Sequence, residues 1–165
     1  MKLKRLTQLA LLTAMSLTLF VIELRIPELV PIPGVKLGLA NIVTVYAVYR
    51  FRAWETALLV LSRLLLGAWC TGNPSALLYS LAGAAFCLCG MLLLRRIIPQ
   101  QFLWLSSVFG AIFHNTGQIL AAMLLMQTRT VLAYYPILLV TGCIAGGFTG
   151  LCAQLVIGRT KGKLP

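Results

Sequence analysis

The chain contains no aspartate. Its acids are three glutamates, Glu23, Glu28 and Glu55, and its one histidine is His114. Aspartate-rich Mg²⁺ clamps of the kind that hold prenyl diphosphates therefore cannot be built, and three scattered glutamates do not replace them. The five cysteines (Cys70, Cys87, Cys89, Cys143, Cys152) lack metal-ligand spacing and accompanying His or acid ligands, so they read as packing residues, not as a metal site. The tail G-R-T-K-G-K-L has three residues between its glycines and a leucine after the lysine, which is not a phosphate-binding Walker loop. These absences point away from an enzyme, from a resident cofactor and from a nucleotide motor within this chain.

Apolar sequence is abundant instead. Of 165 residues 60% are hydrophobic, mean hydropathy is +0.95, and charge is confined to 14 basic and 3 acidic side chains. This is the composition of an integral membrane protein, with its core formed between helices. A net charge of +11 would indicate nucleic acid in a soluble domain. Here the basic residues sit in short clusters between apolar runs, which is the pattern of membrane topology. The start, M-K-L-K-R followed by Leu6 to Ile22, resembles a signal peptide but lacks a small-residue cleavage site, so it is retained as a first membrane helix.

Breakers and charges divide the chain into six spans, at 6–26, 35–49, 54–69, 76–94, 102–127 and 131–158. The expectation is an all-α, six-helix membrane bundle forming a single transmembrane domain over 1–165. Between the first two spans P-E-L-V-P-I-P-G holds three prolines and a glycine and predicts an irregular outer loop. With the N-terminus in the cytoplasm, Lys2, Lys4, Arg5, Arg50, Arg52, Arg95, Arg96, Arg159, Lys161 and Lys163 fall inside, against Arg25, Lys36 and Arg129 outside. That asymmetry predicts both termini in the cytoplasm of a multi-pass protein of the cell membrane. In the last span Gly142, Gly146 and Gly150 recur every four residues and predict close helix packing.

Against this apolar background the intramembrane polar residues form a short candidate set. His114 and Gln118, in F-H-N-T-G-Q, are four apart and share a helix face with Gly110, Gly117 and Ala121, whose small side chains leave room for a ligand or a neighbouring helix. Asn115 projects about 100° away, toward another neighbour. Depth counting at about 1.5 Å per residue puts His114, Arg63, Asn41 and Glu23 at mid-membrane or outward of it, the layout of a pocket open to the outside. Polar groups at such depth either mark a site or bond helix to helix. For Arg63 the alternatives are an anionic ligand, a structural ion pair or snorkelling; for Glu23, a ligand contact or a solvated helix end paired with Lys36 or Arg25. Ala10 and Ala14, with Thr7 and Leu17, make a smooth stripe on the first helix that suits internal packing or an approaching helix.

The Ala10 and Ala14 pair, six short spans with both ends inside, and the Pro-rich outer loop resemble the substrate-binding (S) components of energy-coupling factor (ECF) transporters. More narrowly, V-K-L-G-L-A-N-I-V at 35–43 and G-A-I-F-H-N-T-G-Q at 110–118 resemble the Gx transporter family, whose members are often labelled heptaprenyl diphosphate synthase component I. The resemblance implies that Ala10 and Ala14 dock on the coupling helices of a membrane scaffold subunit driven by two cytoplasmic ATPases. It also implies capture of a small molecule from outside. Asn41, His114, Asn115 and Gln118 fall within the two motifs.

The reading is therefore an S component that binds a small organic substrate, isoprenoid- or quinone-related, among lipid and protein partners and without nucleic acid. The runner-up is a non-catalytic membrane subunit assisting polyprenyl or quinone synthesis or an electron-transfer assembly. A self-sufficient channel or carrier is weaker, because six short spans offer no paired broken helices.

Overall fold

The computed structural model describes residues 3–23, 39–72 and 74–160. Six α-helices account for nearly all of them: α1 (Leu3–Glu23), α2 (Asn41–Arg50), α3 (Ala53–Thr71), α4 (Pro74–Leu94), α5 (Leu103–Met126) and α6 (Tyr135–Thr160). Short 3₁₀ turns, Gln100–Phe102 and Thr130–Tyr134, lead into α5 and α6. The Pro-rich stretch 27–34, the opening of the expected second span at 35–38, and Arg25, Glu28 and Lys36 lie outside the described residues.

Five of these helical stretches, within 3–23, 53–71, 77–94, 100–126 and 130–159, are long and apolar enough to cross a bilayer. The molecule is thus a helical, multi-pass membrane protein. Its large side chains face outward in numbers no soluble protein tolerates, among them Leu124, Ile144, Leu155 and Trp69. Trp54 and Trp69 are exposed near opposite ends of α3. They stand about 22 Å apart along the axis, the arrangement of interfacial aromatic anchors.

The second expected span, 35–49, is described only from residue 39 onward. Its described helix, α2, has 10 residues and a length of about 15 Å, half of a hydrocarbon core. It is also the most enclosed element, touching α1, α3, α4 and α6, with Val43, Thr44, Val45, Ala47 and Val48 buried. A run that is apolar on all sides describes a helix buried in protein as well as one crossing lipid, and length alone separates the two.

One end of the bundle is tied by polar contacts. Glu55, 1% exposed, accepts the Arg52 backbone N–H at 2.9 Å and pairs with Arg5 at 3.4 Å, which joins the starts of α1 and α3. Arg95 at the end of α4 donates to the Val48 carbonyl at 2.9 Å and to that of Phe51 at 3.4 Å, satisfying the last turn of α2. The Gln154 side chain of α6 accepts the Trp104 N–H at 3.3 Å. The starts of α1, α3 and α5 and the ends of α2, α4 and α6 therefore share this basic end. At the opposite end, Gly72 closes α3 in a left-handed conformation (φ 64°) that suits glycine.

Helix α5 is clasped between α4 and α6. The Gly142, Gly146 and Gly150 repeat does what its spacing predicts: all three face α5, and a Cβ at Gly150 would come 2.6 Å from the Trp104 Cα and 2.7 Å from the Ser107 Cβ. Because the obstruction is backbone, the helices would have to part. Gly150→Ala is expected to destabilise the protein by about 1–3 kcal/mol. Gly147→Ala, whose Cβ would meet its nearest neighbour, Val108 Cγ2, at 3.9 Å, is expected to be neutral or slightly stabilising. Thermal unfolding of the two variants in one detergent checks the contrast.

Candidate functional site

The geometry of α2 makes the site. Rising about 15 Å from the basic end, the helix stops near mid-membrane depth, so its first residue, Asn41, is level with the middle of α3. There Arg63, ten residues beyond Ala53, donates from Nη1 to the Asn41 Oδ1 at 3.3 Å. Arg63 is 8% exposed, and among the described residues its Nε has no hydrogen-bond partner. The start of α2 has no side-chain cap, since Ala40 precedes it, and its backbone N–H groups carry the partial positive charge of a helix N-terminus. Ser16 of α1 binds the Ala40 carbonyl at 3.2 Å, holding the entry to α2 against the first helix.

Glu23, the last residue of α1, is buried at 7% exposure and lies within electrostatic reach of Arg63. Three elements remote in sequence thus bring Glu23, Asn41 and Arg63 together. Glu55, the acid nearest Arg63 in sequence, is engaged with Arg5 and the Arg52 backbone at the basic end, so it does not serve Arg63. Nor does Arg63 snorkel: its guanidinium is enclosed beside Asn41.

His114 and Gln118 both pack on α4 at Gly83. A Cβ on that glycine would meet the Gln118 Cγ at 2.7 Å, the His114 carbonyl at 2.9 Å and the imidazole Cε1 at 3.0 Å. Both side chains are partly exposed, and His114 also lies within electrostatic reach of Arg63. Of the two expected uses of the room beside Gly110 and Gly117, a ligand or a neighbouring helix, the structure shows the helix, α4. Met91 and Cys87 fill it at Gly110, and the Ala82 carbonyl and Phe86 fill it at Gly117.

Asn115 points elsewhere. Its Nδ2 donates to the Leu138 carbonyl of α6 at 2.5 Å and sits over Gly142. Such a bond joins α5 to α6, and the structure does not bring Asn115 to the Arg63 group. One turn on, the Thr116 hydroxyl reaches the Tyr135 hydroxyl at 2.7 Å across the same interface.

Of two further residues beside the site, Gly83 is not singled out by the sequence and Cys87 reads there as packing. Gly83 carries no chemistry of its own and is one glycine among 14, yet it permits the approach of His114 and Gln118. Cys87, one turn after Gly83, lies within electrostatic reach of Arg63. The i, i+4 spacing of Gly83 and Cys87 was the available signal. Among the described residues no group of three or more His, Cys, Asp or Glu could hold a metal ion.

Ala10 and Ala14 are both exposed, as is Thr7, whereas Leu17 is half-buried. The side of α1 turned into the bundle is instead Leu9, Ser16 and Glu23. The small-residue stripe is therefore not used for packing within the described chain.

Comparison with known proteins gave no match among curated sequences and none among solved structures. A family model, heptaprenyl diphosphate synthase component I, does match, and it covers residues 12–156, from midway along α1 to near the end of α6, with both sequence motifs and the Arg63 group. The chain belongs to that family, as the motifs at 35–43 and 110–118 led us to expect.

Proposed function

We propose that this protein is the substrate-binding S component of an ECF-type, ATP-driven importer, a non-catalytic subunit that captures a small organic molecule from outside. The observation that carries this reading is the contact of Arg63 with Asn41 at mid-depth in an otherwise apolar bundle, with Glu23 and His114 near enough to feel the same charge. Placing a charged side chain at the bilayer centre opposes insertion by roughly 2.5–3.5 kcal/mol, so a buried arginine with donor capacity to spare favours a binding role over a structural one. The unused Ala10–Ala14 face of α1 supports the second half of the reading, docking on a membrane scaffold subunit served by two cytoplasmic ATPases. In this reading the whole chain is one transmembrane domain of the cell membrane with cytoplasmic termini, and the substrate is isoprenoid- or quinone-related.

The family description favours a second reading, a membrane subunit that assists polyprenyl or quinone synthesis without catalysing it. Affinity purification of the tagged protein from its native membrane separates the two. A scaffold subunit with two ATPases in stoichiometric amounts supports import. A soluble prenyl synthase in their place overturns it.

Orientation has its own check. Single cysteines placed at Asn73 and Arg129, in a variant lacking the native ones, are expected to react with a membrane-impermeant thiol reagent on intact cells. One at Lys163 is expected to react only after lysis. Reaction of the Lys163 position on intact cells would show that the basic end faces outward.

A further inference from the structure

The binding reading leaves the chemical class of the substrate open, and the surroundings of Arg63 narrow it. A guanidinium has five N–H donors in a fixed fork. At Arg63 one Nη1 donor goes to the Asn41 side chain, while Nε, on the edge that forms paired bonds with planar or tetrahedral anions, has no partner among the described residues. A buried donor without an acceptor is destabilising, and a membrane interior supplies no water to relieve it.

A second, independent feature points to the same place. The amino-terminal end of α2 stops at mid-depth beside Arg63, uncapped by any side chain, and directs its partial positive charge there. Half-helices that end inside a membrane bundle with their N-termini toward a cavity are a recurrent way of holding an anionic group. Glu23 is close enough to moderate the charge of Arg63. It is an acceptor only, so it competes for the same donors and does not itself donate to an anion.

We propose that the substrate carries an anionic head, a carboxylate or a phosphate, seated between the Nε edge of Arg63 and the amino-terminal turn of α2. This rests on the reading of the chain as a substrate-binding protein. The rest of the molecule then lies among apolar side chains such as Phe20, which packs on Gly67, one turn beyond Arg63 on α3.

A set of probes with one tail and four heads tests it on the full-length protein in detergent: farnesoate, farnesyl phosphate, farnesol and farnesylamine. Binding is read by intrinsic tryptophan fluorescence and by thermal shift. The expected result is saturable binding of farnesoate or farnesyl phosphate at least about tenfold tighter than that of farnesol, with farnesylamine weakest. Whichever anion binds tighter identifies the head. Arg63→Gln keeps a donor for Asn41 and is expected to remove the preference for the anion over farnesol. Arg63→Lys is expected to retain part of the preference, which separates loss of charge from loss of fold.

Equal affinity for farnesol and the anions, tighter binding of the amine, or a preference that persists in Arg63→Gln would overturn the anionic assignment and leave the importer reading in place. If none of the four binds the wild-type protein, the anionic assignment also fails. The importer reading itself falls only if purification also finds no scaffold subunit and no ATPases.

Discussion

With Ala10 and Ala14 both replaced by leucine, the protein is expected to fold and bind its ligand as before, yet to lose co-purification with the scaffold subunit and its ATPases. The structure makes this a clean separation of effects. Both alanines are exposed on α1, on the side away from Leu9, Ser16 and Glu23, so two leucines there meet nothing within the described chain. On the proposed docking face they do. Helices that approach through small residues are held by short-range dispersion, and a radial gap of even about 1 Å forfeits a large part of it. Two isobutyl groups on one stripe would open a larger gap than that along a full turn.

The measurement is affinity purification of tagged wild-type and double-variant protein from the same membranes, with thermal unfolding of each isolated protein as the control. A variant that keeps its partners would remove Ala10 and Ala14 from the docking surface. One that unfolds would assign the stripe to the bundle itself. Thr7, also exposed and one turn before Leu11, offers a graded version: Thr7→Leu alone should weaken the association without abolishing it.

The long helices were readable because their signal is local. Runs of about 20 apolar residues bounded by charges, prolines or glycines place α1, α3, α4, α5 and α6 to within a few residues, and the four-residue glycine repeat gave the α5–α6 seam. What the sequence leaves open is also physical: hydropathy does not distinguish burial in lipid from burial among helices, so the enclosure of α2, expected as a short span, comes from the structure.

The site was legible in its members and not in its grouping. Asn41 and Arg63 stood out as polar residues at depth, but their contact joins positions 22 apart on different helices, and nothing in either local pattern says which neighbours those helices choose. Asn115 shows the reverse: adjacent in sequence to His114, it turns to α6 and bonds the Leu138 carbonyl, because about 100° of rotation per residue sends neighbours to different partners. Glu55, an attractive partner for Arg63 by proximity in sequence, is held instead by the need to cap the start of α3.

His114→Ala and Gln118→Ala are each expected to weaken substrate binding by about 1–3 kcal/mol, roughly five- to 150-fold, because each leaves a ligand polar group without its partner in a site screened from water. Their effect on the empty protein should be smaller. Each side chain is only partly buried, and what it meets on α4 is the bare backbone of Gly83. For His114 that contact includes a hydrogen bond to the Gly83 backbone, so His114→Ala is expected to cost the empty protein more than Gln118→Ala does. Gly83→Val supplies the complementary perturbation. Its added Cβ would fall 2.7 Å from the Gln118 Cγ and 2.9 Å from the His114 carbonyl, and since the latter is backbone, α4 and α5 must separate. That variant is expected to lose both stability, by about 1–3 kcal/mol, and binding. The three proteins, compared by thermal unfolding without ligand and by binding of the probe that the wild-type protein prefers, distinguish a site from a seam. If the alanine variants lower the unfolding temperature as far as Gly83→Val does and bind the probe normally, His114 and Gln118 are interhelical contacts. If binding falls while the unfolding temperature stays within a few degrees of wild type, they line the substrate site beside Arg63.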